Sequence, residues 1–376
     1  MTDVSSATST RFGALGANAH RPDGVAKVQG GFAFSSDMWV ENMLWGATLR
    51  SPHPHARIVS IDVSKAWKIS GVETVITADD VPGEPNYGLI MQDQPVFAKV
   101  GDRVRYRGEP VAAVAADHPE TCRRALEAIE VVYEVLEPVV DPERCIDGSA
   151  PSIHPEGNVF RRQRIVTGDQ SIVGPIVVEG TYEIGMQDQA FLGLEAALAV
   201  PDPGNAGVEL YIATQWLHED RKQIAACLGL AEDKVRLVLG GVGGAFGARE
   251  DISLQVHTCL LALRTGRPVR IAYNREESFY GHVHRHPATI WMRHHADHDG
   301  RILRIESRMV FDGGAYCSTS PAVLINAITH AQGPYKCDNA TVDGWALRTN
   351  NPPCGADRKS TRLNSSHQII SYAVFC

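Results

Sequence analysis

Residues 235–266 read VRLVLGGVGGAFGAREDISLQVHTCLLALRTG, and this stretch constrains the fold more than any other in the 376-residue chain. Residues 235–239 are an apolar, β-branched run that predicts a buried strand, and Gly240, Gly241, Gly243, Gly244 and Gly247 follow it within eight residues. Ile252, Leu254, Val256, Leu260, Leu261 and Leu263 then recur at roughly helical spacing, with Glu250 and Asp251 expected in the first turn and Gly266 as the stop. A strand, a glycine turn and a helix in that order bring backbone N–H groups and a positive helix end close to a ligand, which suits an anionic or oxo-rich guest. A tight connection whose glycines only relieve steric crowding produces the same pattern.

Two phosphate-binding motifs are excluded here. A Walker loop needs Lys and a hydroxyl where Arg249 and Glu250 stand, and the sixth residue counted from Gly241 is Phe246, which breaks the G-x-G-x-x-G register. The net charge of −8 argues against a general nucleic-acid or membrane-surface partner. No run of about 18 apolar residues is present to span a membrane, and residues 1–20 lack the apolar core of a secretory signal, so a cytoplasmic location is expected. The eight cysteines include no C-x-x-C pair, so the chain carries no evident zinc or iron–sulfur motif of its own.

A chain of this length predicts two domains or three. Residues 1–20 read as a flexible arm. Strands are expected over residues 45–51, 57–63 and 72–77, a hairpin turning at Gly108 over 104–117, a helix beginning near Pro119, and a last strand ending near Asp141. Together they make a compact α+β unit over residues 21–141, followed by a proline-containing linker over 142–158. Next come a strand, a polar segment holding Gln187, Asp188 and Gln189, and another strand over residues 177–202. A strand ending on Gln215 and a helix stopped by Gly229 lead into the glycine stretch. Beyond it His282, His284 and His286 alternate, as on one face of a strand. A metal site is conceivable there, but no acidic residue stands in the immediate stretch to support it, and a packed strand explains the pattern better. The Pro52–Pro54 bracket explains His53 and His55 better as a loop than as metal ligands.

Ten segments in order, RPDGVAKVQG, RSPHPHARI, VRYRGEPVAAVAAD, EGTYEIGMQDQAFLGLEAALAVPD, ATQ, GGAFGARED, RHP, DGGAY, GPY and TNNPPCGA, resemble the molybdenum-binding subunit of the xanthine dehydrogenase and aldehyde oxidase family over residues 21–355. The resemblance is greatest to bacterial xanthine dehydrogenases. It implies an α+β fold in which residues 21–141 form an a/b hammerhead domain and residues 159–355 the first part of a mixed α/β molybdopterin-binding domain. On the same grounds Gln215 matches the glutamine that bonds the metal's oxo ligand. Gly244, Phe246 and Gly247 match the turn facing the molybdopterin, and Glu250 matches the carboxylate that bonds a purine substrate. The implied reaction is oxidative hydroxylation of a purine such as xanthine or hypoxanthine. Water supplies the oxygen, a glutamate in the missing C-terminal half serves as base, and electrons leave through 2Fe-2S centres and FAD on partner subunits. The cofactor is molybdopterin, with its cytosine dinucleotide as one form.

The chain also departs from the family pattern. Ala245, Ala248 and Arg249 stand where the family turn GGGFGGKE has two glycines and a lysine, and Asn326 stands where mammalian xanthine enzymes place a purine-anchoring arginine. Asn326 and Gln187 are therefore candidate substrate contacts, and an aldehyde or another N-heterocycle is the alternative substrate. Outside the enzymes, a non-catalytic binding or assembly role is the alternative.

Residues 356–376 break off where RGFG is expected and resemble a translated sequencing adapter, so they are set aside from the fold. The 376-residue polypeptide is expected neither to hold the cofactor stably nor to turn over. Coexpression with the cofactor-synthesis machinery, followed by metal analysis, should recover it with molybdenum far below one per chain; stoichiometric metal and hydroxylase activity would overturn the expectation.

Overall fold

A computed structural model describes residues 21–357. Of the described residues, 21–33 belong to a unit of their own, with a single helical turn α1 (Gly24–Val28) and the Lys27 ammonium 4.5 Å from the Phe32 ring centroid. From Phe34 onward the chain forms a second compact unit, and the candidate site lies within it.

The order in that unit begins with β1 (Leu44–Arg50), β2 (Ala56–Asp62), β3 (Val72–Ile76), the two-residue strands β4 (Asn86–Tyr87), β5 (Gln94–Pro95) and β6 (Arg103–Val104), and β7 (Pro110–Ala116). Helix α2 (Pro119–Ala128) has Pro119 in its first turn and its N-terminus capped by His118, whose ring Nδ1 accepts from the Glu120 amide at 3.1 Å. Then follow β8 (Glu130–Val135), α3 (Glu143–Ile146), β9 (Val159–Thr167), β10 (Ile176–Ile184), β11 (Ala196–Asp202), β12 (Gly207–Ile212), α4 (Leu217–Leu228) and β13 (Val235–Leu239). The remainder is α5 (Gln255–Thr265), β14 (Val269–Ala272), α6 (Arg275–Gly281), β15 (His284–Arg285), β16 (Ala288–Ala296), β17 (Ile302–Asp312), α7 (Ser320–Thr329), β18 (Ala340–Leu347) and β19 (Cys354–Gly355).

Seven strands form the main sheet in the order β13-β12-β11-β14-β1-β7-β3. Strand β7 reads PVAAVAA and is buried at every residue because helices cover both its faces. Ala113 and Ala115 pack in the cluster with Leu260 and Leu261 of α5, whereas Ala112, Val114 and Ala116 pack with Cys122 and Ala125 of α2. Small side chains let both helices lie close. The join between the two halves is the parallel pairing of β1 with β14, Leu44 opposite Val269 and Gly46 opposite Ile271. A Cβ on Gly46 would come 2.7 Å from Ile271 Cγ1 and 3.1 Å from Leu261 Cδ1, so glycine is required for α5 to seat. A second sheet, β10-β16-β17-β18-β9, packs its inner face against α7, with Ile290, Met309, Phe311 and Leu324 in its core.

Three expectations change. The turn at Gly108 is not a hairpin: β6 pairs with β2 in a three-stranded sheet, while β7 pairs with β1 and β3. Residues 142–158 are not a solvated linker, since they contain α3 and bury Cys145 and Ile153 with Val139, Val310 and Leu347. The histidines do not share a regular strand, because His282 ends α6 and only His284 enters the short strand β15. The expected strands over residues 45–51, 57–63 and 72–77 and the helix near Pro119 are present as β1, β2, β3 and α2. Residues 1–20, expected as an arm, and residues 358–376 of the set-aside tail lie outside the described residues. Among the described residues no helix is long and apolar enough to cross a membrane.

A buried carboxyl also bridges the halves. Glu109 is fully buried; its Oε2 accepts from the Arg105 amide at 2.5 Å and its Oε1 accepts from the Tyr316 hydroxyl. Burial pushes its pKa up from 4.5 to about 7. A raised carboxyl binds its proton more tightly folded than unfolded, so its contribution to stability is fully present below pH 4.5 and lost as pH rises through 7. The buried imidazoles of His154, His257, His284 and His286, depressed to about 4, act in the opposite sense, stabilising above pH 6.5 and losing that contribution as pH falls. Only a difference measurement isolates Glu109. Denaturant unfolding of Glu109→Gln against the parent should show the variant gaining on the parent by about 3 kcal/mol between about pH 4.5 and pH 8. A difference independent of pH would show that Glu109 is ionised in the fold.

Candidate functional site

Strand β13 runs parallel to β12, and both end on the same side of the sheet, where the glycine turn begins with Gly240 N–H donating to Ile212 O at 2.8 Å. Three residues give the turn its shape. Gly244 (φ 112°), Phe246 (φ 55°) and Gly247 (φ 107°) all occupy the left-handed region, and Phe246 does so without being glycine. The backbones of Gly193 and Gly243 cross so closely that a Cβ on Gly243 would lie 2.6 Å from Gly193 Cα, with Gly193 N–H donating to Gly243 O at 3.1 Å. A Cβ on Gly244 would meet Phe191 Cβ at 2.9 Å.

The expected helix start is corrected here. Residues Ala248–Glu250 form a short 3-10 turn, Asp251 is extended, and α5 begins only at Gln255. Glu250 and Asp251 therefore do not sit in the first turn of the long helix, and the donors at the turn are individual backbone N–H groups and a side-chain amide. The physical reason is that the turn's bonds run to the segment after β12 instead of up the helix. Gln215 N–H donates to Arg249 O at 2.9 Å, Thr214 Oγ1 donates to the same carbonyl at 3.2 Å, and Gly247 N–H donates to Gln215 Oε1 at 2.9 Å. Gln215 lies three residues beyond the end of β12. With its oxygen held by Gly247, its N–H₂ is left as the donor end of the amide.

The sequence-derived candidates separate into two sets. Gln215, Gly244, Phe246, Gly247 and Glu250 converge at this turn, Glu250 being 1% exposed with its N–H donating to Gly247 O at 3.2 Å. Gln187 is exposed and pairs with Arg285: its Oε1 accepts from Arg285 Nη1 at 3.1 Å and its carbonyl from Arg285 N–H at 2.9 Å. Asn326 lies on the exposed side of α7, its carbonyl accepting from His330 Nδ1 at 2.8 Å. Sequence reasoning missed Phe191, Gly193, Glu195 and Arg249. A glycine set within the apolar run FLGLEAA and an arginine inside a glycine turn were the available signals.

Charge at the site is concentrated below the surface. Glu195, Asp220, Glu250 and Asp251 are all buried or nearly so, and Arg249 Nε lies 3.5 Å from Glu195 Oε1. Burial pushes Asp251 up to about 7 although Ser318 Oγ donates to its Oδ2 at 2.9 Å, and it pushes Asp220 up to about 7 as well. The upward direction of both favours the neutral acid, so the region is less repulsive to an anion than four ionised carboxylates would be.

His282 and His284 stack at 5.3 Å beside Phe191, and His282 Nε2 lies 3.4 Å from Asp188 Oδ1. His282 Nδ1 faces Val283 O at 2.7 Å, its Nε2 faces Ser278 Oγ at 3.1 Å, and His286 Nε2 faces Ser320 Oγ at 2.8 Å. Among the described residues no group of three or more His, Cys, Asp or Glu side chains is arranged to hold a metal ion. The turn offers backbone N–H groups and an oriented amide donor, which fits an oxyanion-rich organic cofactor that carries its own metal.

Comparison with known proteins agrees with that donor set. The family profile for the aldehyde oxidase and xanthine dehydrogenase a/b hammerhead domain matches residues 29–137, and that for the molybdopterin cofactor-binding domain matches residues 155–366. The chain is 39% identical to a Bacillus subtilis protein named as a probable xanthine dehydrogenase subunit, over 90% of this chain and 45% of that protein. It is 38% identical to the nicotinate dehydrogenase large molybdopterin subunit of Eubacterium barkeri, over 92% of this chain and 81% of that protein. The crystal structure of quinoline 2-oxidoreductase from Pseudomonas putida 86 superposes with a TM-score of 0.84 at 30% identity, covering 92% of this chain and 46% of that one. The chain thus spans less than half the length of two of these three proteins. With the strand-end turn, the oriented Gln215 amide and both profiles in agreement, the chain belongs to the aldehyde oxidase and xanthine dehydrogenase family and carries its molybdopterin cofactor-binding domain.

Proposed function

We propose that this chain forms one wall of the active site of a molybdenum hydroxylase that oxidises an electron-poor ring carbon of an N-heterocycle, with a purine such as xanthine or hypoxanthine as the first candidate. The carrying observation is the Gln215–Gly247 bond, which engages the amide oxygen and leaves the N–H₂ as its donor end beside the left-handed backbone at Phe246 and Gly247. When bound, the molybdopterin cofactor supplies two-electron oxidation with a water-derived oxygen atom. The chain's own contribution is to orient and exclude water. Gln215 and the turn amides hold the cofactor's oxygen and sulfur edge by hydrogen bonds, and the buried Glu250 carboxyl accepts an N–H of the heterocycle. The base that removes the substrate proton is assigned to the part of the subunit beyond this chain.

A second substrate reading rests on one observation: the Eubacterium barkeri relative, over most of whose length this chain aligns, is named for nicotinate. A pyridine ring, or an aldehyde, would then replace the purine. The exposed position of Asn326 and the engagement of Gln187 with Arg285 support a peripheral role for both side chains. The electron path through 2Fe-2S and FAD partner subunits, the cytosine dinucleotide form of the cofactor and a cytoplasmic location complete the proposal.

The test is steady-state kinetics on the complete subunit assembled with its partners, using xanthine, hypoxanthine, nicotinate and a simple aldehyde. Heterocycle turnover should exceed aldehyde turnover, and Glu250→Gln should lower kcat/KM for the heterocycle by roughly 10²-fold with bound molybdenum unchanged. Turnover of the aldehyde alone, or an unaffected Glu250→Gln variant, would sink the assignment. Gln215→Ala should instead lower the molybdenum content.

A further inference from the structure

Arg249 is 2% exposed although it sits in the turn itself, and its side chain points away from the cofactor-facing backbone. Its guanidinium donates to Gly193 O and, at 3.4 Å, to Ala213 O. Its Nε lies 3.5 Å from Glu195 Oε1, and its Cζ stands 4.4 Å from the centroid of the buried Phe191 ring. Its own carbonyl is the acceptor shared by Gln215 N–H and Thr214 Oγ1. One residue thus ties together residues 191–195, 213–215 and 247–250, the three segments whose meeting defines the site. A planar fork can reach two carbonyls while standing over a ring; a lysine ammonium is a point charge without that fork.

We propose that Arg249 is a positioning residue: it sets the separation between the Gln215 amide and the Phe246–Gly247 backbone by lashing the Phe191–Gly193 segment, at its crossing with Gly243, to the end of β12. The crossing explains why such a lash is needed. Gly193 and Gly243 touch backbone to backbone with one hydrogen bond between them, and neither has a side chain to hold the register against the strain of left-handed Phe246. Glu195, 2% exposed, supplies the counter-charge that keeps the guanidinium in place. The inference deepens the cofactor reading and rests on it for the meaning of the site, but the mechanical claim concerns this chain alone.

Hydrogen exchange with mass spectrometry on the cofactor-free chain tests it, comparing the parent with Arg249→Lys, which keeps the buried charge and loses the fork. Exchange in peptides covering residues 187–195 and 240–250, the Gly247 amide among them, should rise roughly tenfold or more, while peptides from β7 and from β16 and β17 are unchanged. Unchanged exchange at the turn, or a uniform rise in all peptides, overturns the positioning role. In the complete subunit, Arg249→Lys should also retain at least severalfold less molybdenum than the parent, and equal retention overturns the link to cofactor binding. Absence of molybdenum from the parent subunit would instead defeat the cofactor reading, leaving the exchange result to decide the positioning role by itself.

Discussion

The parallel pairing of β1 with β14 is the constraint on which the remaining architecture depends. It joins residues more than two hundred positions apart and makes one sheet from the hammerhead strands β1, β3 and β7 and the strands β11 to β14. Because β14 also pairs with β11, and β11 with β12, the β1 register is transmitted to the strand ends that carry Gln215 and Gly240. Helix α5 packs on one face of this arrangement, and a side chain at Gly46 would crowd Ile271 and Val269 of β14 and Leu261 of α5. Such non-local contacts carry a high loop-closure cost, and the dense apolar cluster around Leu254, Leu260 and Leu261 offsets it.

The site on those strand ends is built by bonds between loops, and its helices lie behind it. Three segments meet without regular secondary structure, so each polar backbone group must find a side chain or another loop. Gln215, Thr214 and Arg249 meet that need, and in doing so they fix the Gln215 amide by its oxygen. Burial then sets the charge. Burial raises the carboxyls of Asp220 and Asp251 to about 7, and Arg249 lies against Glu195.

The glycine stretch, the helices at Pro119 and before Gly229, and most strands were legible in the sequence because period and punctuation report local geometry. The convergence of Gln215, Phe246, Gly247 and Glu250 was legible only through motifs in family order. Residues whose role lies in packing were not. Nothing local in FLGLEAA marks Gly193 as a backbone crossing, and nothing in GARED shows that the arginine turns inward. The residues between Gly247 and Gln255 looked helical because apolar spacing continues through Ile252 and Leu254, yet the bonds to Thr214 and Gln215 hold the chain extended at Asp251.

By itself the sequence determined the kinds of element, the left-handed turn that its glycines permit, and a family whose order of motifs is too long to arise by chance. The tertiary structure alone decided that the two halves share one sheet, that Gly108 redirects the chain between sheets, and that Arg249 faces the interior while Gln187 pairs with Arg285 at the surface. The division has one physical cause. Local pattern encodes backbone preference and burial within a few residues, whereas register, crossing and charge placement depend on partners far away in the chain.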